Sequence, residues 1–289
     1  MFDIALNSLQ LSRYSGDRSS ALFAAALGFL LLMSGTSHAA LERVSDFAAL
    51  DTQGEFHQLS RYKHKNALAL LTFDARCSKP AQIERFAQLS KTPMGAGVSF
   101  ALLDTAGLSR SELAEVANSL PADLPILQDG PQLIAPLLGA RSVDEVIVLN
   151  PERLNVFFRG AGLAELETLL GSLEQAPPSD TITLTAGSCA LDIPTRQVAP
   201  DYTSEVAPII LDNCVECHRS GGVGPFAMDS YIMLLGWSPM IREVVLNKRM
   251  PPAHVDPEFG HSRMARYLED DELSILVNWI DARAPRGEG

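Results

Sequence analysis

Between Leu41 and Glu174 the sequence alternates strand-length apolar runs with segments of helical spacing, and this alternation constrains the fold more than any other feature. "NALALLTF" is an apolar run of strand length, and "SKPAQIERFAQLS" after it has helical spacing. "VSFALLD" reads as a second strand, and "SRSELAEVANSL" as a helix capped by Ser109 or Ser111. "LPILQD" and "QLIAPLLGA" repeat the theme. "DEVIVLN" and "NVFFRG" flank the turn "PER", which predicts a hairpin, and "LAELETLLGSLE" closes the unit as a helix. Strands alternating with helices, plus one late hairpin, predict a mixed α/β sheet with helices on both faces.

The pattern then changes. Ala176 to Pro200 is rich in Pro, Ser and Thr and has no helical period, so it reads as an interdomain linker with one short strand at "TITLT". Beyond it "TSEVAPIILDN" opens as a helix capped by Thr203 or Ser204, with Pro208 tolerated near the first turn. "SYIMLLGWSPMIREVVLNKR" is helical in character but interrupted at Gly236 and Pro239. "EDDELSILVNWIDARA" is the clearest helix: its acidic start suits the positive end of the helix dipole, and Leu273, Leu276, Val277 and Ile280 form one apolar face. The chain of 289 residues, 46% hydrophobic and 20% charged, has ordinary globular composition. It has room for two modest domains, 40–175 and a small all-α unit at 201–289, with 176–200 as the linker.

A net charge of −12 argues against nucleic acid as a partner and permits docking on a positively charged one. The apolar run Ala21 to Met33 follows Arg18 and precedes Ser37-His38-Ala39, which resembles a cleavage site. Thirteen residues are too few to span a bilayer, for which about 20 are needed. Residues 1–39 therefore read as a signal peptide, with an uncleaved anchor as the alternative. The expected location is the periplasm or another exported compartment, with no stable membrane span after cleavage. The first 20 residues are long and mixed in charge for an n-region, which points to a true start downstream.

In "LDNCVECHRSGG" two cysteines stand three apart and a histidine directly follows the second. Covalent c-type haem attachment uses all three: Cys214 and Cys217 would each add across a vinyl group, and His218 would fall under the iron as an axial ligand. The alternative is a disulfide or redox dithiol with an incidental histidine, but no strand leads into the motif, as that reading would want. For the sixth ligand the candidates downstream include Met228, Met233, Met240, Met250, His254, His261 and Met264. Met250 stands out in "KRMPPAH", because two prolines stiffen the loop after it, and His254 is the runner-up. A thioether ligand raises the potential relative to two imidazoles. "GGVGPFAM" lets the backbone approach the haem, with the Gly224 or Pro225 carbonyl accepting the His218 ring N–H. Trp237 and Trp279 read as packing residues. Cys77 and Cys189 remain, either paired or as separate thiols.

Haem motif, Met250 loop and C-terminal amphipathic helix, in that order, resemble a small class I cytochrome c domain. "VAPIILDNCVECHRSGGVGPFAM", "PMIREVVLNKRMPPAH" and "LEDDELSILVNWIDARAP" resemble the cytochrome domains that follow a redoxin-like domain in certain bacterial exported proteins. In some of these a copper-dependent monooxygenase-like domain comes next. The first unit is similar to the peroxiredoxin and thioredoxin-like fold, with Cys77 between the first core strand and helix. The resemblance then sets expectations against a working thiol enzyme. "CSKP" has no second cysteine, Asp74 stands where a peroxidatic pattern has threonine, and Val143 and Asp144 stand where the fold's cis-proline should fall.

The leading expectation is an exported electron carrier with one covalent haem, held by Cys214 and Cys217 and ligated by His218 and Met250. The first unit would then serve docking or structure against a redox partner. A thiol-disulfide oxidoreductase or peroxidase using Cys77 with Cys189 as resolving partner is the enzyme alternative. A subunit serving a copper monooxygenase-like partner is suggested by the resemblance alone.

Overall fold

The computed structural model describes residues 41–194, 198–252 and 268–287. The signal-peptide reading of residues 1–39 and the ligand candidates His254, His261 and Met264 fall outside the described residues. Residues Ala40–Gly289 form one compact unit.

The sheet is built on β4 (Ala67–Phe73) and β5 (Val98–Asp104), parallel neighbours joined through α1 (Pro80–Ser90). Every residue of β4 is buried, and its period-2 alternation divides them between two cores. Ala67, Ala69, Leu71 and Phe73 pack against α1, through Ile83, Phe86 and Leu89, and against α4 (Leu163–Ser172). Leu68 and Leu70 face the other way, onto Phe47, Leu59 and α3 (Ile134–Leu137). A central strand that is apolar at six of its seven positions, with the Thr72 hydroxyl donating to Ser142 O, suits burial on both faces.

The expected hairpin is β7 (Val146–Asn150) and β8 (Asn155–Gly160), antiparallel, with β7 also antiparallel to β4. The order across the sheet is β1-β8-β7-β4-β5-β6, where β1 is Glu42–Arg43 and β6 is Ile126–Leu127. A separate hairpin pairs β2 (Ala48–Leu50) with β3 (Phe56–Gln58). α2 (Arg110–Ala117) starts at Ser109, one of the two expected caps, and a capping box with Glu112 completes its first turn. Two parallel strands followed by an antiparallel hairpin, with helices on both faces, make this a thioredoxin-like fold.

The segment expected as a linker is partly built into the sheet. β9 (Ile182–Thr183), within "TITLT", runs parallel to β8. Leu184 N and Ala161 N continue the pairing, donating to Arg159 O at 2.8 Å and Thr185 O at 3.1 Å.

After it, among the described residues, come three helices around a third apolar cluster. One wide helical turn, Tyr202–Val206, leads into α5 (Ala207–Asn213). Its cap is Asp201, whose carboxylate accepts from Ser204 N at 2.8 Å, rather than Thr203 or Ser204 as expected. α6 (Tyr231–Leu246) runs unbroken through Gly236 and Pro239. Proline tolerates this position because it is exposed, and the Leu235 carbonyl it leaves without an N–H accepts the Ser238 hydroxyl at 2.9 Å. α7 (Asp270–Asp281) buries the four expected apolar residues together with Trp279, whose Nε1 donates to Pro285 O. No helix among the described residues is long and apolar enough to cross a membrane.

Candidate functional site

Two groups of reactive side chains stand at the ends of helices. The first is Cys77, in the turn between β4 and α1. Its N–H donates to Asp74 O at 3.0 Å, and Pro80 at the first helical position fixes the entry into α1. Asp74 does not imitate the threonine of a peroxidatic pattern. It binds Arg76 at 2.7 Å, and that hydrogen-bonded guanidinium holds its carboxyl below the usual range.

Cys77 and Cys189 are joined in a disulfide, with Cα atoms 6.7 Å apart. Of the two alternatives open in the sequence, pairing is the one found. Cys189 arrives on an extended segment laid across the loop before β7. Ser188 N donates to Val143 O at 2.9 Å, Val143 N donates to Cys189 O at 2.8 Å, and Ala190 pairs with Ser142 as an antiparallel bridge. The loop is itself braced. Thr72 Oγ1 donates to Ser142 O at 2.8 Å, and the buried Glu145 accepts from Arg141 N and Ser142 N. Asp144 Oδ2 accepts from Lys79 N and Ser188 Oγ, both at 3.0 Å.

The second group follows α5. Cys214 is its C-cap residue, and the turn tightens through Cys217 N and His218 N, which both donate to Cys214 O. Cys214 and Cys217 are free thiols, the first half-buried and the second exposed. Burial, then the charges of Glu272 and Cys217, push the Cys214 thiol up to about 12. Asn213 binds Glu272 at 3.1 Å and so ties the turn to α7.

His218 Nδ1 donates to a main-chain carbonyl at 3.0 Å, and the acceptor is Phe226 O, not Gly224 or Pro225 as expected. A carbonyl only accepts, so Nδ1 carries a proton, and in the neutral ring the lone pair is on Nε2. The glycines serve the histidine directly. A Cβ on Gly224 would lie 2.7 Å from His218 Nδ1, and one on Gly222 would lie 2.3 Å from Cys217 O. Pro225 is exposed, between Gly224 and the acceptor. Phe226 also stacks on Trp237 at 4.4 Å, which links this loop to α6. Trp237 is thus a packing residue, as expected.

Met250 follows the end of α6, with its N–H donating to Val244 O at 3.0 Å, and is 38% exposed. Met228 is buried in the helical cluster, so it reads as core. Two free thiols and an imidazole thus share one turn. The sequence reading missed Phe226 O, and no side-chain signal marks a main-chain acceptor. It also missed the Val143–Cys189 pairing, because an isolated bridge to a remote loop has no local period.

No protein-family model matches this chain, and no curated protein matches it by sequence. Solved structures do resemble it in part. A thiol:disulfide interchange protein of the thioredoxin family from Chlorobium tepidum is 17% identical, covering 47% of this chain and 97% of its own, with a TM-score of 0.39. An exposed lipoprotein thioredoxin from Streptococcus pneumoniae is 20% identical, covering 46% and 100%, at 0.40. A hypothetical protein from Sinorhizobium meliloti is 16% identical, covering 56% and 98%, at 0.47. These likenesses are distant, and the fold assignment rests on strand order and register instead.

Proposed function

We propose that the chain is an exported electron-transfer protein carrying one covalent c-type haem. Cys214 and Cys217 would hold it and His218 would ligate its iron. The observation that carries this reading is the His218 Nδ1–Phe226 O bond, which turns an imidazole next to two free thiols into a base at Nε2. When bound, the haem iron would supply a one-electron ferric–ferrous couple. Met250 is the proposed second axial ligand, from a cytochrome c-like helical unit, and Pro225 belongs to the loop that holds His218. The raised Cys214 thiol weighs against a redox dithiol, since reactive cysteines have depressed pKa values. In the same unit Val223, Ile232 and Met240 are exposed, apolar surface of the kind a macrocycle buries. The test is the absorption spectrum of the exported protein, oxidised and reduced, with and without carbon monoxide. A reduced c-type spectrum insensitive to carbon monoxide at neutral pH is expected. Ready carbon monoxide binding would remove Met250 as ligand and, with it, the simple carrier role.

A second reading is favoured by the Cys77–Cys189 bond: a thiol-disulfide oxidoreductase in the thioredoxin-like unit. Cys77 would exchange disulfides and Cys189 would be its resolving partner. The protein reduced with dithiothreitol should then reduce a disulfide substrate, and Cys77→Ser should abolish this. No turnover by the wild type would count against it.

A further inference from the structure

The hairpin of β2 and β3 carries polar side chains that neither reading above uses. It docks on the β6 edge of the sheet, where Gln128 N donates to Leu50 O at 2.8 Å and Asp51 forms an isolated bridge with Leu127. Asp51 closes the turn: its Oδ1 accepts from Gln53 N at 2.8 Å and Glu55 N at 2.9 Å. Gly54 supplies the positive φ, 81°, that the turn requires. Asp51 N donates to Glu55 O at 3.0 Å, so these two residues face each other across the hairpin. His57 lies two residues beyond Glu55, and the period of a strand puts it on the same face.

We propose that Asp51, Glu55 and His57 form a binding site for a divalent transition-metal ion such as zinc. The site is separate from both pairs of cysteines and needs neither haem nor thiol exchange.

Three observations carry it. The first is the donor set. One ligand atom from each of the three residues lies within 4.8 Å of the other two. His57 Nε2 stands 3.0 Å from Asp51 Oδ2, close to the roughly 3.3 Å between neighbouring ligands of a tetrahedral zinc ion. Both side chains are largely withdrawn from water, at 12% and 6% exposure, and the hydrogen bond between them keeps the site formed without the ion. An imidazole among carboxylates favours zinc, nickel or iron, whereas magnesium and calcium take oxygen ligands alone.

The second is the far side of the ring. The Tyr62 hydroxyl lies within hydrogen-bond distance of His57 Nδ1. It can accept from Nδ1–H, which directs the Nε2 lone pair at the metal and fixes the ring, as the outer partners of ligating histidines do. The third is access. The three residues line a cleft of about 720 Å³, whose far wall includes Leu120, Asp123 and Leu124 from the loop between α2 and β6. An ion can enter from solvent, and a fourth coordination position would open into the cleft, where water completes it.

Calorimetric titration of the full-length exported protein with zinc chloride tests this. The wild type should take up one ion at the hairpin, and His57→Ala should bind it at least about tenfold more weakly, since even an outer partner of a ligand is worth that much. Tyr62→Phe removes such an outer partner and should weaken uptake about tenfold. Asp51→Asn keeps the Oδ1 that closes the turn, loses the anionic oxygen and should weaken uptake in the same direction. Glu55 is exposed, so Glu55→Gln leaves the packing of the hairpin alone and gives the reading if the other variants fail to fold. The Cys214→Ser/Cys217→Ser variant removes zinc held by the free thiols and should retain the His57-dependent ion. Wild-type protein that binds no zinc, or binds it no more tightly than the folded hairpin variants do, would overturn the site. Uptake lost with the two thiols would overturn it as well. Excess magnesium should leave zinc uptake unchanged, and effective competition would overturn the transition-metal assignment.

Discussion

At His218 the Nδ1 bond to Phe226 O works only because residue 224 has no side chain. Gly224→Ala should therefore push the ring off its acceptor, and the haem spectrum should show altered axial ligation while the haem stays covalently attached. An unchanged spectrum would show that the ring does not depend on this contact. The two thiols differ as well. In haem-free protein at neutral pH, iodoacetamide should label the exposed Cys217 well before the half-buried Cys214, whose thiol is pushed up to about 12. Mass spectrometry of the digested protein reads the order. That Cys214, Cys217 and His218 share one turn was legible in the sequence because their spacing is local. The acceptor was not, because a main-chain carbonyl is chosen by the path of the Gly222–Gly224 turn and any residue could supply it.

The helices and strands divide in a similar way. β4 and β5 were readable as apolar runs of strand length, and α1 and α7 because period 3.6 is written in their apolar residues. α6 was misread as broken, because Gly236 and Pro239 oppose a helix locally while packing of Leu234, Ile241 and Val245 holds it together. α3 depends on a different device. Asp129, fully buried, accepts from Leu133 N, Ile134 N and Ala135 N. Burial pushes its carboxyl up to about 7 despite those bonds, and Asp104 up to about 6. Both lie above the unfolded value near 4, so the folded state holds these protons more tightly. Their contribution is present below about pH 4 and is lost as pH rises through about 6 to 7. The urea midpoint should fall across that window, and Asp129→Asn should flatten the fall. A midpoint that rises with pH there would contradict it.

The helical unit is joined to the rest of the molecule by specific contacts. Arg242 on α6 binds Asp281 on α7 and reaches Ser45 Oγ at 3.2 Å, and Leu133 packs against the helical cluster. The Cys77–Cys189 bond adds a constraint over 112 residues of sequence. Cys189→Ala should cost on the order of 4 kcal/mol by the loop-entropy argument, read as a lowered denaturant midpoint. A change near zero would mean that the segment at Cys189 is held by its hydrogen bonds to Val143 alone. The bridging segment itself was invisible in the sequence, since Thr, Ser and Gly with no period read as linker and its partner loop lies more than forty residues upstream. Covalent haem would rest on the other two cysteines, Cys214 and Cys217. The most direct measurement is a denaturing gel stained for haem, with the intact mass, on exported wild type and on the Cys214→Ser/Cys217→Ser double variant. One haem per wild-type chain is expected, and none on the variant. A haem-free wild type, from cells that mature other c-type cytochromes, would contradict it.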